Sequence, residues 1–257
     1  MSYQIVFFDI DGTLLNTEHI IPSSTVHAVQ QLKKNGVHVA IATGRSPYHL
    51  QAVAQQLEID SFVSFNGSYT VHQGRLVHHT PLASQTLDRL EMYAGQNNHP
   101  MVFLSADSCY ANTENHPYVL ESFDFLKLPS PDYRQKYWQE KPIYQAFLYC
   151  NETEERPYLE NYREVSYVRW HPQVLDILPP QGSKARGIEA MLRHLGMTAS
   201  DAVAFGDGLN DKEMLSFVGM GVAMGNAHEE LKPLADMVTQ HVNEDGIHHG
   251  LKQLGLI

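Results

Sequence analysis

The chain reads as an α/β protein: a parallel sheet covered by helices on both faces, with an α+β domain inserted into it. Three observations predict this. Short apolar runs alternate with amphipathic helical patterns in the first third of the chain and again after residue 182. Those runs are apolar throughout, as strands of a parallel sheet covered on both faces must be. Between about Leu82 and Pro180 the alternation gives way to runs of strands, aromatic residues and irregular turns. The core is therefore expected over residues 1–81 and 182–257, and the inserted domain over 82–181.

The elements follow in order. Ile5 to Phe8 is a buried strand that runs into Asp9-Ile10-Asp11-Gly12-Thr13. Pro22-Ser23-Ser24 opens a helix with apolar Val26, Val29 and Leu32, closed by Gly36. Val37 to Ala42 is a second strand, ending at Thr43-Gly44-Arg45. Ser46 caps a helix with Pro47 at its first position, running to about Leu57. Phe62 to Phe65 is a third strand, ending at Asn66-Gly67, and Tyr69–His72 with Arg75–His78 reads as a hairpin around Gln73-Gly74. The insert has helices near Ser84–Gln96 and Glu152–Tyr162. Its strands lie near Met101–Leu104, Tyr144–Tyr149, Val165–Trp170 and Val174–Leu178. Pro81-Leu82 and Pro179-Pro180-Gln181-Gly182 make natural hinges at its two ends. A helix then runs from Ser183 to Leu195 and stops at Gly196. Ala202 to Phe205 is a strand ending at Gly206-Asp207-Gly208, followed by a helix from about Asn210. Strands at Gly219–Ala223 and Met237–Val238 and helices at Ala227–Ala235 and Asp245–Leu254 complete the chain.

Bulk properties exclude several functions. With 43% apolar and 18% charged residues the 257-residue chain is globular. Its formal net charge of -11 and the absence of any Lys/Arg-rich run exclude an electrostatic footprint for nucleic acid. An anionic partner, such as a small phosphorylated metabolite, must then be met by local cations and a metal. Two distant cysteines read as reduced thiols, and no apolar stretch reaches membrane length, so a cytoplasmic location without membrane contact is expected. Fifteen histidines include no pair at the HxxxH spacing of a helical zinc site.

The chemistry-bearing residues all lie just after a strand or at the start of a helix. In open α/β sheets, ligand sites gather at the carboxyl ends of strands. Asp9/Asp11, Thr43 and Asp207/Asn210/Asp211 end three strands and would converge on one edge. Asp9 and Asp11 stand at i and i+2, the spacing that puts two strand side chains on one face, and such a pair needs a cation. Magnesium takes oxygen ligands, which Asp9, the carbonyl of Asp11 and Asp207 can supply. A carboxylate so neutralised can attack phosphorus, which makes Asp9 the nucleophile and Asp11 the acid and base. Thr43 offers a hydroxyl, Lys184 a cation and Asn210 a neutral donor to phosphate.

These motifs, Asp9-Ile10-Asp11-Gly12-Thr13, Thr43-Gly44-Arg45, Gly182-Ser183-Lys184 and Gly206-Asp207-Gly208-Leu209-Asn210-Asp211, resemble the four ordered motifs of the haloacid dehalogenase superfamily. The insert between Thr43 and Lys184 is similar to the type-two (IIB) cap of the Cof-type phosphatases, as are Asn66-Gly67 and Asn243-Glu244-Asp245-Gly246-Ile247. The resemblance implies a Rossmann-like core, magnesium and an aspartyl-phosphate intermediate. It implies phosphate binding by the Ile10 amide, Thr43, Gly44, Lys184 and Asn210, and a metal held by Asp9, Asp11 and Asp207 with Asp211 orienting its waters. The expected function is magnesium-dependent hydrolysis of sugar phosphates, phosphorylated cofactors or nucleotides. A phosphomutase or phosphotransferase would use the same chemistry, and a phosphate-binding signalling protein would keep the site without turnover.

Overall fold

A computed structural model of the chain describes residues 3–180 and 182–257. In chain order it contains β1 (Ile5–Phe8), α1 (Ser23–Lys34), β2 (His38–Ala42), α2 (Pro47–Gln56), β3 (Phe62–Ser64), β4 (Tyr69–His72) and β5 (Arg75–His79). There follow α3 (Ser84–Gln96), β6 (Met101–Leu104), β7 (Cys109–Ala111), α4 (Pro117–Phe125), β8 (Asp132–Tyr133), β9 (Gln145–Tyr149), α5 (Arg156–Asn161), β10 (Ser166–His171) and β11 (Val174–Leu178). The last part holds α6 (Lys184–Leu195), β12 (Ala202–Gly206), α7 (Lys212–Phe217), β13 (Met220–Ala223), β14 (Met237–Val238) and α8 (Gly246–Gln253). Two compact units result. One comprises the described residues of Met1–Arg45, Leu50–His79 and Ser183–Ile257, the other those of Ser46–His49 and Thr80–Gly182. Gln181, part of the expected exit from the insert, lies outside the described residues.

In the first unit, eight strands form one sheet in the order β14-β13-β12-β1-β2-β3-β4-β5. The strands from β14 to β3 are parallel, and β4 and β5 continue the sheet antiparallel. Alternation along β1 splits the core in two. Val6 and Phe8 join Ile41, Val203 and Phe205 beneath α1, α2 and α8. Ile5 and Phe7 join Ala40, Ala42, Ala202 and Ala204 against Ile188 and Met191 of α6 and Met214 and Leu215 of α7. Small alanines on this second face let α6 approach the sheet closely. The fold class is thus the expected α/β arrangement, and the predicted hairpin proves to be the antiparallel edge of this same sheet.

The second unit is a six-stranded sheet in the order β10-β11-β9-β6-β7-β8. Met101, Phe103, Ala146, Leu148, Leu175 and Ile177 line one face and bury Leu87, Leu90 and Ala94 of α3 and Tyr158 of α5. The other face carries Phe147, whose ring meets Phe123 of α4 at 6.1 Å, and Tyr149, whose hydroxyl pairs with Ser122 Oγ at 2.8 Å.

Two expectations are corrected. The helix expected over 227–235 is only a 3-10 turn at Lys232–Leu234. Pro233 lacks the N–H an α-helix needs there, and its ring would meet the carbonyl of Glu229. The helix expected over 152–162 starts at Arg156, where Pro157 occupies the first turn. The structure also adds β7, α4 and β8. The start of α4 is marked by Pro117, and its cap is the ring nitrogen of His116, which accepts from Tyr118 N. His116 is not one of the usual capping residues.

One buried acid in the second unit has a measurable consequence. Asp176 on β11 accepts hydrogen bonds from Gln145 Nε2 at 2.6 Å and Trp170 Nε1 at 2.7 Å. Burial nevertheless pushes its carboxyl up to about 7, against the smaller opposing effect of those two bonds. The folded state therefore holds a proton that the unfolded state has released between about pH 4 and 7. Across that window stability falls as pH rises. Asp176→Asn is neutral at every pH, can accept from Trp170 and can face a flipped Gln145 amide. The variant should gain stability relative to the parent from pH 4 to pH 7.5, read by urea unfolding; parallel pH profiles would contradict this.

Candidate active site

The strand β1 stops at Phe8, and the chain turns at once. Leu14 N and Leu15 N reach back to the carbonyls of Asp9 and Ile10, and Gly12 N donates to Leu15 O. Gly12 adopts φ +80°, and a Cβ there would overlap the carboxylate of Asp207. Only glycine lets the end of β12 lie directly against this turn. Because Asp9 to Asp11 already belong to the turn, the alternation of a strand no longer governs them. Asp9 is buried, whereas the Asp11 side chain is 54% exposed and takes a two-pronged ion pair from Arg45 at 2.9 and 2.5 Å. The Asp11 carboxylate thus has the Arg45 guanidinium as its counter-ion.

Lys184, the first residue of α6, is fully buried. Its Nζ donates to Asp9 Oδ1 and Asp211 Oδ1, both at 2.6 Å. Two glycines seat the helix that carries it. A Cβ on Gly67, at φ +97°, would overlap Ser183 O, and one on Gly187 would overlap Val63 and press on Gly67 Cα. Asp211 is likewise sealed in. Its Oδ2 accepts from the amides of Asp207 and Gly208, each at 2.9 Å. Gly206 makes room, since a Cβ there would stand 2.6 Å from Asp211 Cγ.

Asp207 lies beside them, its Oδ1 accepting from Thr13 Oγ1 at 2.8 Å. Thr43, at the end of β2, is buried; its Oγ1 accepts from Arg45 N at 3.1 Å. Gly44 faces the amide of Asn66, and Asn210 Nδ2 donates to Asn66 Oδ1 at 3.1 Å. Asn66 sits at φ 48°, in the left-handed region, and joins the Thr43 and Asp207 segments. The expected convergence of three strand ends is therefore present, with Asn66, Thr13 and Asn226 as additional members. Asn226 follows β13 at the same sheet edge, which is the one signal that marks it in the sequence.

The electrostatics favour a cation. Carboxylate oxygens of Asp9, Asp207 and Asp211 all lie within 4.8 Å of one another. Against these three, the cluster itself holds one ammonium, that of Lys184. Burial, and then the neighbouring Asp211, Asp207 and Asp11, raise Asp9 well above the ordinary carboxylate range, with Lys184 offsetting part of the effect. Burial likewise pushes Asp207 up to about 6, opposed by the Thr13 hydrogen bond. Burial alone would discharge Lys184, but the Asp211 and Asp9 carboxylates outweigh it and hold the ammonium above its usual range. Three carboxylates and one ammonium leave two negative charges, which a divalent cation with oxygen preference matches. Asp9, Asp207 and Asp211 each offer a carboxylate oxygen to such an ion, Asp211 while also accepting from Lys184 and from the Asp207 and Gly208 amides. Among the described residues no helix is long and apolar enough to cross a membrane.

An open α/β sheet with a buried carboxylate–lysine cluster at its carboxyl edge has its ionisable groups where enzymes of this plan bind their ligands. Comparison with known proteins narrows it. The pattern of the haloacid dehalogenase-like hydrolases matches residues 6–251. YkrA of Bacillus subtilis (strain 168) is 42% identical over 257 residues, 100% of both chains. A crystal structure of a protein from Geobacillus kaustophilus HTA426 is 52% identical, with a TM-score of 0.97 over 100% of both chains. The subclass IIB sugar phosphatase BT4131 is 30% identical, with a TM-score of 0.86 over 99% of this chain and 100% of its own. The chain belongs to the haloacid dehalogenase-like hydrolases and is a phosphatase of their Cof type, with a type-two cap.

Proposed function

We propose that the protein hydrolyses small organic phosphate monoesters with magnesium, through an aspartyl-phosphate, the acyl phosphate of Asp9. The observation that carries this reading is the buried Asp9 carboxylate, held by Lys184 and flanked by Asp207 at the end of β1. Magnesium bound by Asp9, Asp207 and the Asp11 carbonyl would supply positive charge to the phosphoryl oxygens. The chain's own residues carry the steps. An Asp9 oxygen bonds to phosphorus as the bond from phosphorus to the leaving oxygen breaks, and Asp11 gives that oxygen a proton. Asp11 then takes a proton from water, whose oxygen bonds to phosphorus, and the Asp9 carboxylate and inorganic phosphate are released. Lys184, the Ile10 and Gly44 amides, Thr43 and Asn210 would hold the phosphoryl oxygens, and Asp211 would keep Lys184 charged and in place. The sugar phosphatase among its structural relatives favours sugar phosphates as the first substrates to screen.

The test is release of phosphate from a panel of phosphate esters with and without magnesium. Loss of activity on chelation and its return with magnesium are expected. Asp11→Asn should slow turnover by about 10²–10⁴-fold, the usual worth of a positioned acid and base. Because Asn cannot activate water, the variant should also accumulate phosphorylated protein from an ester whose leaving group needs no protonation. Unchanged turnover in this variant would refute the role of Asp11.

A further inference from the structure

Asn226 stands three residues beyond the end of β13, on the sheet edge that carries Asp9 and Asp207. Its side chain touches three separate segments. Nδ2 donates to Gly12 O at 2.8 Å and lies 3.5 Å from Asp207 Oδ2, while Oδ1 accepts from Val242 N at 2.9 Å. The backbone around it is fastened as well: Met224 N donates to Gly206 O at 3.0 Å and Gly225 N to Gln240 O at 2.9 Å. A Cβ on Gly225 would stand 2.5 Å from His241 N. The amide is thus a fixed post and not a mobile surface group.

The two oxygens of Asp207 are treated differently. Oδ1 takes a short hydrogen bond from Thr13, while among the described residues Oδ2 has only the long contact with Asn226. The Oδ2 lone pairs therefore stay available to a cation, while the oxygen is confined between the Gly12 turn and the Asn226 amide. Moving the Gly12 carbonyl would move the turn that carries both Asp9 and the Asp11 carbonyl.

We propose that Asn226 is a positioning residue for the metal site, acting by tying the Gly12 carbonyl and Asp207 Oδ2 into one fixed arrangement of ligands. This inference rests on the magnesium reading above. Groups that orient metal ligands from behind are typically worth about 10–100-fold in metal affinity.

The experiment titrates Mg2+, and Mn2+ as a second probe, into the metal-free full-length protein by calorimetry, with no substrate present. Asn226→Ala should bind both ions at least about 10-fold more weakly than the parent. In steady state its half-saturating magnesium concentration should rise by a similar factor, with kcat largely restored at high magnesium. A merely structural role would lower the stability of the metal-free protein and leave the affinity of the folded fraction unchanged. If the alanine variant does not fold, Asn226→Ser, which keeps a small polar group on the same Cβ, should show the same direction of change. Metal affinity within twofold of the parent in the folded variant would overturn the inference. Absence of binding by the parent itself would overturn the magnesium reading, and the inference with it.

Discussion

Asp9→Asn should abolish turnover, with a loss on the order of 10⁴–10⁶-fold, as when an enzyme loses its attacking group. The substitution is nearly isosteric, so Lys184 keeps its place and its bond to Asp211. What changes is charge and nucleophilicity. Asn cannot form the bond to phosphorus, and the carboxylate that would share the metal with Asp207 is gone. The fold should not suffer. Asp9 is buried among Asp211, Asp207 and Asp11, and its raised proton affinity means that ionising it in the folded protein is costly. The sign follows from linkage. An acid whose folded pKa lies above its unfolded value loses stability as pH rises through that interval. The variant, with no proton to lose, should melt no lower than the metal-free parent at pH 7.5. Phosphate release and a thermal melt of the same preparation check both halves. Turnover within tenfold of the parent would dismiss Asp9 as nucleophile.

Lys184→Met should damage both stability and activity. The ammonium is fully buried and lies 2.6 Å from an oxygen of each of Asp9 and Asp211. A methionine of similar length fills the space but leaves both carboxylates buried without their cation. Removing one partner from a buried ionic cluster typically costs about 3–5 kcal/mol. Since the lysine is held above its ordinary range, its stabilising charge is present across the whole neutral range and is lost only at strongly alkaline pH. The loss in the variant should therefore shrink as pH falls and Asp9 takes up a proton. Urea unfolding of the metal-free proteins at pH 5.5 and 8 reads this directly. Equal losses at the two pH values would show that packing, and not charge, is at stake. Magnesium should recover part of the stability, because it supplies the missing positive charge, while turnover should stay low for want of the phosphate-binding cation.

Much of the site is legible in the chain because its residues announce themselves locally. A polar residue directly after an apolar strand, a glycine in the turn and a helix opening nearby are short-range patterns, and they recur at Asp9, Thr43 and Asp207. Asn226 obeys the same rule yet passes unnoticed, since an asparagine in a Gly-Asn-Ala turn is commonplace and its partners lie far away. Gly12 O is 214 residues distant along the chain. Sequence pattern and structure part where one residue overrides a pattern, as Pro233 does to an otherwise helical segment, and a helix with an unusual cap, as α4 has in His116, leaves no capping-residue signal at its start.

The sequence by itself determined the alternation that makes a parallel sheet and the acids, hydroxyl and lysine placed at its strand ends. Both are encoded over a few residues, by apolar runs and by turn-forming glycines. Tertiary structure alone decided how those groups share charge. It brings Lys184 onto Asp9 across 175 residues, pairs Asp11 with Arg45 and seals Asp211 behind Gly206. Those pairings depend on how closely α6 and β12 approach the β1 and β3 turns. That approach is set by glycines whose missing side chains matter only once the distant segment lies against them.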